Sequence, residues 1–138
     1  MKHYIAIVEQ EGDSAHSLWF PDVPGCYSAA DAASDVLANA VEALQLHLAD
    51  LDAPEASGAG ELAAREDVAE CLAAGAWMLA VPFVERDRDA SVRINITMPR
   101  GVVDAVDSHA RTHGLSRSSF LAQAALAAIE GRPGVGSD

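Results

Sequence analysis

The stretch "SVRINITMP", residues 91–99, alternates in twos: Val92, Ile94, Ile96 and Met98 fall on one side, Arg93, Asn95 and Thr97 on the other. A period of two is the pattern of a half-buried strand. A charged run, ERDRDA at 85–90, precedes it, and Pro99 follows where a proline opens a helix. A lone strand leaves its backbone groups and its apolar face without a partner. What comes next offers only helices. Val102, Val103, Val106 and Ala110 form an apolar stripe that Gly114 ends as a left-handed cap. Ser116 then caps a second helix, in which Phe120, Leu121, Ala124, Ala125, Ala128 and Ile129 are expected to be buried and Gly131 is the stop. One strand and two helices in about 40 residues lie at the lower limit for independent folding. The economical solution is a homodimer: two copies pair their strands antiparallel about a two-fold axis, and four helices share one core.

Upstream, the pattern changes. Residues 3–9 (HYIAIVE) read as a strand buried on both faces, 16–20 (HSLWF) as a second and 26–29 (CYSA) as a third, with PDVPGC at 21–26 forcing a fixed turn. Asp31 is the expected N-cap of a helix, with Asp35 in its first turns. Val36, Leu37, Ala40, Leu44, Leu48 and Leu51 carry its apolar stripe to residue 51. After a loop at 52–60, residues 61–74 read as one alanine-rich helix ended by Gly75. Residues 77–85 (WMLAVPFVE) form a strongly apolar strand that could pair centrally, though Pro82 points to a bulge or an edge. The expected class is α+β: a β-β-β-α-α-β domain over 1–84, a charged linker at 85–90, a strand-helix-helix domain over 91–131 and a tail at 132–138.

Charge divides the chain at the same place. Residues 1–90 hold 17 acids against Lys2, Arg65, Arg86 and Arg88, a net of −13. Residues 91–138 hold five arginines and four acids. The acidic part repels nucleic acid and suits a basic partner, though acids also simply keep a domain soluble. No apolar run approaches the ~18 residues that span a bilayer. The N-terminus carries too short an apolar stretch for a signal peptide, so the expected compartment is the cytoplasm. Cys26 and Cys71 form no CxxC pair and read as buried thiols. His3, His16, His47, His109 and His113 match no zinc spacing, and His109 and His113 lack an HExxH frame. No Ser/His/Asp or Cys/His arrangement stands out. Glu9, Glu11 and Asp22 could be imagined as Mg²⁺ ligands, but no spacing singles them out. The expectation is no metal, no cofactor and no enzyme.

The string "RINITMPRGVVDAVDSHARTHGLSRSSFLAQAA" resembles the ribbon-helix-helix repressors. In that family a two-stranded intermolecular ribbon enters the DNA major groove. The resemblance implies that Arg93, Asn95 and Thr97 read base edges. It also implies that Ser116, Arg117 and Ser118, at the start of the second helix, hold a phosphate. The chemistry fits: arginine can grip guanine bidentately, asparagine can do so to adenine, and threonine offers a hydroxyl and a methyl. For Ser116, plain helix capping is equally compatible. The segment has no lysine, so its nonspecific affinity for DNA is expected to be modest.

"YIAIVEQEGDSAHSLWFPDVPGCYSAADAASDVLANAVEALQLHLADL", above all "FPDVPGC" with the helix after it, resembles the N-terminal domain of HicB-type antitoxins. The likeness runs on through "VPFV". It departs at "SAADAASD", where that family usually has a glycine and a threonine. The resemblance implies a degenerate ribonuclease H-like domain that neutralises a HicA-type toxin, a small basic mRNA-cleaving ribonuclease, by steric occlusion. It implies autorepression through operator DNA as well. Trp19, Phe20 and Asp22 are the candidate toxin contacts, though the same residues suit packing of the turn. Two other classes stay open. One is a transcriptional repressor whose first domain senses a small molecule. The other is a ribonuclease, which a Mg²⁺-dependent cleavage assay would reveal.

Overall fold

The computed structural model describes residues 1–86 and 91–132. The chain divides into two compact units, Met1–Glu85 and Arg86–Asp138. The first is a mixed α+β unit. Strands β1 (Lys2–Gln10), β2 (His16–Trp19), β3 (Tyr27–Ala30) and β4 (Trp77–Phe83) form an antiparallel sheet in the order β3-β2-β1-β4. Opposed pairs share a face, so the register Val8↔Leu18, Ala6↔Leu79 and Tyr4↔Val81 builds one apolar layer. Helix α1 (Val36–His47) lies on that layer through Val36, Ala40, Val41 and Leu44. Tyr4 anchors the layer: its ring meets Phe83 edge-on at 5.9 Å and its hydroxyl donates to the Pro54 carbonyl. Ile7, of opposite parity on β1, is equally buried. Helix α3 (Glu66–Ala73), whose Val68 is fully buried, packs against β1.

Pro82 lies in β4, which pairs with β1 alone among the described strands, an edge that can lack an N–H. Three expectations for this unit give way. Residues 61–74 are not one helix but two, α2 (Ala59–Ala63) and α3. Between them Arg65 is extended, at φ −73° and ψ 137°, because its guanidinium grips Asp67 and donates to the Pro21 carbonyl at 3.1 Å. A long-range anchor thus overrides helix propensity. Asp31 caps nothing, since a 3₁₀ turn at Ala33–Asp35 intervenes and Asp35 directly precedes α1. Leu51 is exposed, because α1 ends at His47 and position 51 no longer continues the helical stripe, although Leu48 still reaches the core.

The PDVPGC turn is closed from within. Val23 N–H donates to Phe20 O and Cys26 N–H to Val23 O, both at 3.1 Å, and Phe20 N–H donates to Cys26 O at 3.3 Å. Phe20, Val23 and Cys26 point into the core. The path requires Gly25 at φ +85°, a conformation that L side chains resist. Added at Gly25, a Cβ would meet only His47 Cε1, at 3.5 Å. Gly25→Ala is therefore expected to cost about 1–2 kcal/mol through backbone strain alone. Urea unfolding should show a lower midpoint at unchanged slope.

The second unit contains α4 (Arg100–Thr112) and α5 (Arg117–Ile129). Pro99 stands just before α4 rather than as its first residue, and its carbonyl accepts from Val102 and Val103 N–H. Gly114 and Gly131 take φ +67° and +66° after the helices, as left-handed caps do. Val106, Ala110 and Ala127 are buried. Of the stripe expected on α5, however, Ala125, Ala128 and Ile129 are exposed. Residues 91–98 form neither strand nor helix in the single chain. A ladder needs a second strand, and among the described residues none lies beside this one. Except for Glu85 and Arg86, the expected linker lies outside the described residues, as does the tail beyond Arg132.

Candidate functional site

Arg93, Asn95 and Thr97 are all exposed. So are their apolar neighbours: Val92 is 83% exposed, Ile94 74% and Ile96 59%, while Met98 is half-buried. Three β-branched side chains in water, two residues apart, form an apolar face that burial against another surface would stabilise by about 1.5–3 kcal/mol each. Polar groups at the alternate positions point the other way only once the segment is drawn straight.

At the start of α5 the three phosphate candidates have unlike surroundings. Ser116 is the N-cap, and its Oγ accepts from Ser119 N–H at 3.1 Å. Arg117 is committed within the unit: Nε and Nη2 reach the two Asp107 carboxylate oxygens at 2.8 and 2.7 Å. Hydrogen bonding to Arg117 holds the Asp107 carboxyl below its usual range and raises the guanidinium in turn. Ser118 is exposed. Arg117 and Asp107 meet across the Gly114 corner, a pairing that no local sequence spacing announces. Nearby, the His109 and His113 rings stack at 4.5 Å, and His109 meets Phe120 edge-on at 5.2 Å, so this pair belongs to the helix–helix contact. Glu130, fully buried, is ion-paired to Arg86 and to Arg132, the latter at 2.8 Å.

In the first unit the candidate contacts also part company. Phe20 is 2% exposed and belongs to the core, so its ring offers no surface. Asp22 accepts from Ser57 N–H and Oγ at 2.6 and 2.9 Å and ties down the loop after α1. Trp19 is half-buried, and the register Tyr27↔Trp19↔Ile7 sets it on the face opposite α1. Tyr27, its cross-strand neighbour, is 72% exposed. It was missed because the sequence placed it in a short strand without saying which end would be open.

Neither thiol is poised for chemistry. Burial pushes the Cys26 thiol up. Cys71, only half-buried, is raised to about 11, chiefly by its hydrogen bond to the Glu9 carboxylate and then by burial. Among the described residues no group of three or more His, Cys, Asp or Glu side chains is arranged to hold a metal ion, and no helix is long and apolar enough to cross a membrane.

A family model described as a HicB-like antitoxin of bacterial toxin-antitoxin systems matches residues 4–125. An uncharacterized 14.9 kDa protein from the rep-hol intergenic region of Haemophilus phage HP1 is 30% identical over 116 residues, spanning 76% of this chain and 81% of its own. The crystal structure of the Burkholderia pseudomallei antitoxin HicB is similar at 28% identity. It covers 94% of this chain and 97% of that one, with a TM-score of 0.51. A HicA3 and HicB3 toxin-antitoxin complex is matched at 20% identity over 60% of this chain and 99% of that one, with a TM-score of 0.49.

Proposed function

The chain belongs to the HicB-like antitoxin family of bacterial toxin-antitoxin systems, and from that premise we propose that its two units divide the work of an antitoxin. The first, net −13 over residues 1–85 with Lys2 and Arg65 its only lysine and arginine, is a degenerate ribonuclease H-like domain. It binds a HicA-type mRNA-cleaving toxin and covers its catalytic and RNA-binding surface. Opposite charge speeds the encounter and fixes its orientation. The second unit dimerises as a ribbon-helix-helix and represses its own operon. Residues 91–98 of two copies pair, turning Val92, Ile94, Ile96 and Met98 onto a four-helix core. Arg93, Asn95 and Thr97 then face base edges.

The observation that carries the second half is the open apolar face of residues 92–96, together with exposed Ala125, Ala128 and Ile129 on α5. A second copy covers both with the same operation. In this reading Ser116 and Ser118 meet phosphate at the α5 N-terminus. Arg117 does so only by sharing or leaving Asp107. The role calls for no catalysis, metal or cofactor.

The test has two arms. Co-expression with a HicA-type toxin should restore growth. The purified chain should shift a fragment carrying its own promoter and sediment as a dimer or a multiple of one. A chain that shifts its promoter but leaves the toxin active would overturn the first half. A chain that protects cells but sediments as a monomer and ignores the promoter would overturn the second.

A further inference from the structure

On the sheet face opposite α1, one row crosses all four strands: Tyr27, Trp19, Ile7 and Met78 stand side by side in the register. Helix α3 covers the middle of that row. The Arg65 guanidinium pins its start to the Pro21 carbonyl, and the Cys71 thiol, near its end, bonds the Glu9 carboxylate. Glu9 lies two residues beyond Ile7 on β1 and shares its face. Cover then falls away from β1 toward β3: Ile7 is fully buried, Trp19 half-buried and Tyr27 72% exposed. Ser17 and Ala29, paired in the next row, are exposed as well. The half of this face carried by β2 and β3 is thus open, with two aromatic side chains on it. Both are fixed in advance, because they flank the closed turn. Phe20 N–H donates to Cys26 O at 3.3 Å, and both of those side chains are packed in the core. Little ordering entropy is left to oppose docking on such a pair. The β3 edge is not open to an added strand, because Asn39 Nδ2 donates to Ala29 O at 2.9 Å, so a partner meets the face.

We propose that the Trp19–Tyr27 pair is the apolar centre of a surface on which a basic protein docks, with Glu66 and Glu70 of α3 receiving its cations at the rim. This rests on the toxin-binding reading above and names the toxin as the occupant. Charge selects a basic protein over a second copy of the chain. The unit is net −13, and its lysine and arginine are already engaged. Lys2 Nζ donates to Ala53 O at 3.2 Å, and Arg65 holds Asp67 and the Pro21 carbonyl. Two such units repel, whereas a cationic partner gains on approach. Glu66 and Glu70 are exposed and one turn apart. The bond from Arg65 to Pro21 brings their end of α3 beside the end of β2, which Trp19 closes. Tryptophan and tyrosine are also the residues most enriched at interface centres, each joining a large apolar area to a polar tip. Trp19 keeps the role expected of it, Tyr27 takes the place of Phe20, and Asp22 stays tied to Ser57.

The experiment uses the full chain and a catalytically dead HicA-type toxin, with affinity measured by calorimetry and the fold checked by circular dichroism. Trp19→Ala removes a half-buried ring and lowers stability, so the exposed Tyr27 carries the test. Tyr27→Ala should weaken binding by at least about tenfold. Tyr27→Lys, which also sets a cation against a basic partner, should weaken it by at least about thirtyfold. Glu66→Lys with Glu70→Lys should slow association by about tenfold or more at low salt, and the defect should shrink as salt rises. Leu46→Ala and Leu51→Ala, exposed apolar residues away from this face, should bind as the wild type does. If the wild type binds toxin and both Tyr27 variants, still folded, bind equally well, the docking surface is elsewhere. A Tyr27 variant that changes only the oligomeric state would mean that a second copy of the chain covers the pair, which also overturns the proposal. If the wild type binds no toxin, the toxin-binding reading falls and the proposal falls with it.

Discussion

Asn95→Ala is expected to abolish sequence-specific operator binding while toxin neutralisation survives. In a paired ribbon Asn95 is the central outward residue, flanked by Arg93 and Thr97. A bidentate side chain–base contact contributes about 1–3 kcal/mol of discrimination. A two-fold dimer loses the contact in both half-sites, so the loss in affinity should run from about thirtyfold to about 10⁴-fold. Binding to unrelated DNA and its salt dependence should change little, because asparagine neutralises no phosphate. Arg93→Ala should also weaken specific binding and should lower the salt slope where the guanidinium lies near the backbone. A gel shift on the promoter fragment, unchanged by both substitutions, would sink the reading register.

Phe20→Ala is expected to be strongly destabilising, and it separates core from surface at the turn. The ring is packed with Tyr4, Leu18, Val23 and Cys26 in one cluster. Truncating a buried phenylalanine costs about 3–5 kcal/mol, from lost transfer energy and the cavity left behind. At roughly 4–8 °C per kcal/mol for a domain of this size, the melting temperature should fall by at least about 12 °C. Tyr27→Ala, at the open end of β3, should barely move it. Thermal melts followed by circular dichroism decide the matter. Toxin binding lost only in step with stability for Phe20→Ala would mark the ring as core rather than as a contact.

Much of this fold is legible in the chain. Short apolar runs bounded by turn residues marked β1, β2 and β4, and the 3.6-residue stripe marked α1, because burial leaves such patterns in the chain itself. Gly75, Gly114 and Gly131 announced their positions because positive φ leaves few other choices. Pro82 pointed to a bulge or an edge because it brings no N–H to the ladder. What misled were features set by distant contacts. The helix expected over 61–74 breaks at Arg65, whose guanidinium answers to Pro21, 44 residues away. Phe20 and Trp19 are adjacent aromatic residues. Only the strand register puts one into the core and the other on the opposite face.

The candidate site follows the same division. Spacing alone sets Arg93, Asn95 and Thr97 on one side, since a period of two needs no knowledge of what lies opposite, while a base-reading role for them comes only from the resemblance to ribbon-helix-helix repressors. The exposure of Tyr27 was not legible, because only the sheet register sets it beside Trp19 on the face opposite α1. Arg117 was legible as a cation at a helix start but not as half of an ion pair with Asp107. By itself, then, the sequence determined the class of β1 to β4, α1, α4 and α5, the acidic and arginine-bearing halves, and a segment whose apolar face is left to be covered, because these depend on local periodicity and on counting charge. The tertiary structure alone decided which of those side chains are core, which are tied to one another and which remain for a partner, because burial and pairing depend on residues far apart in the chain.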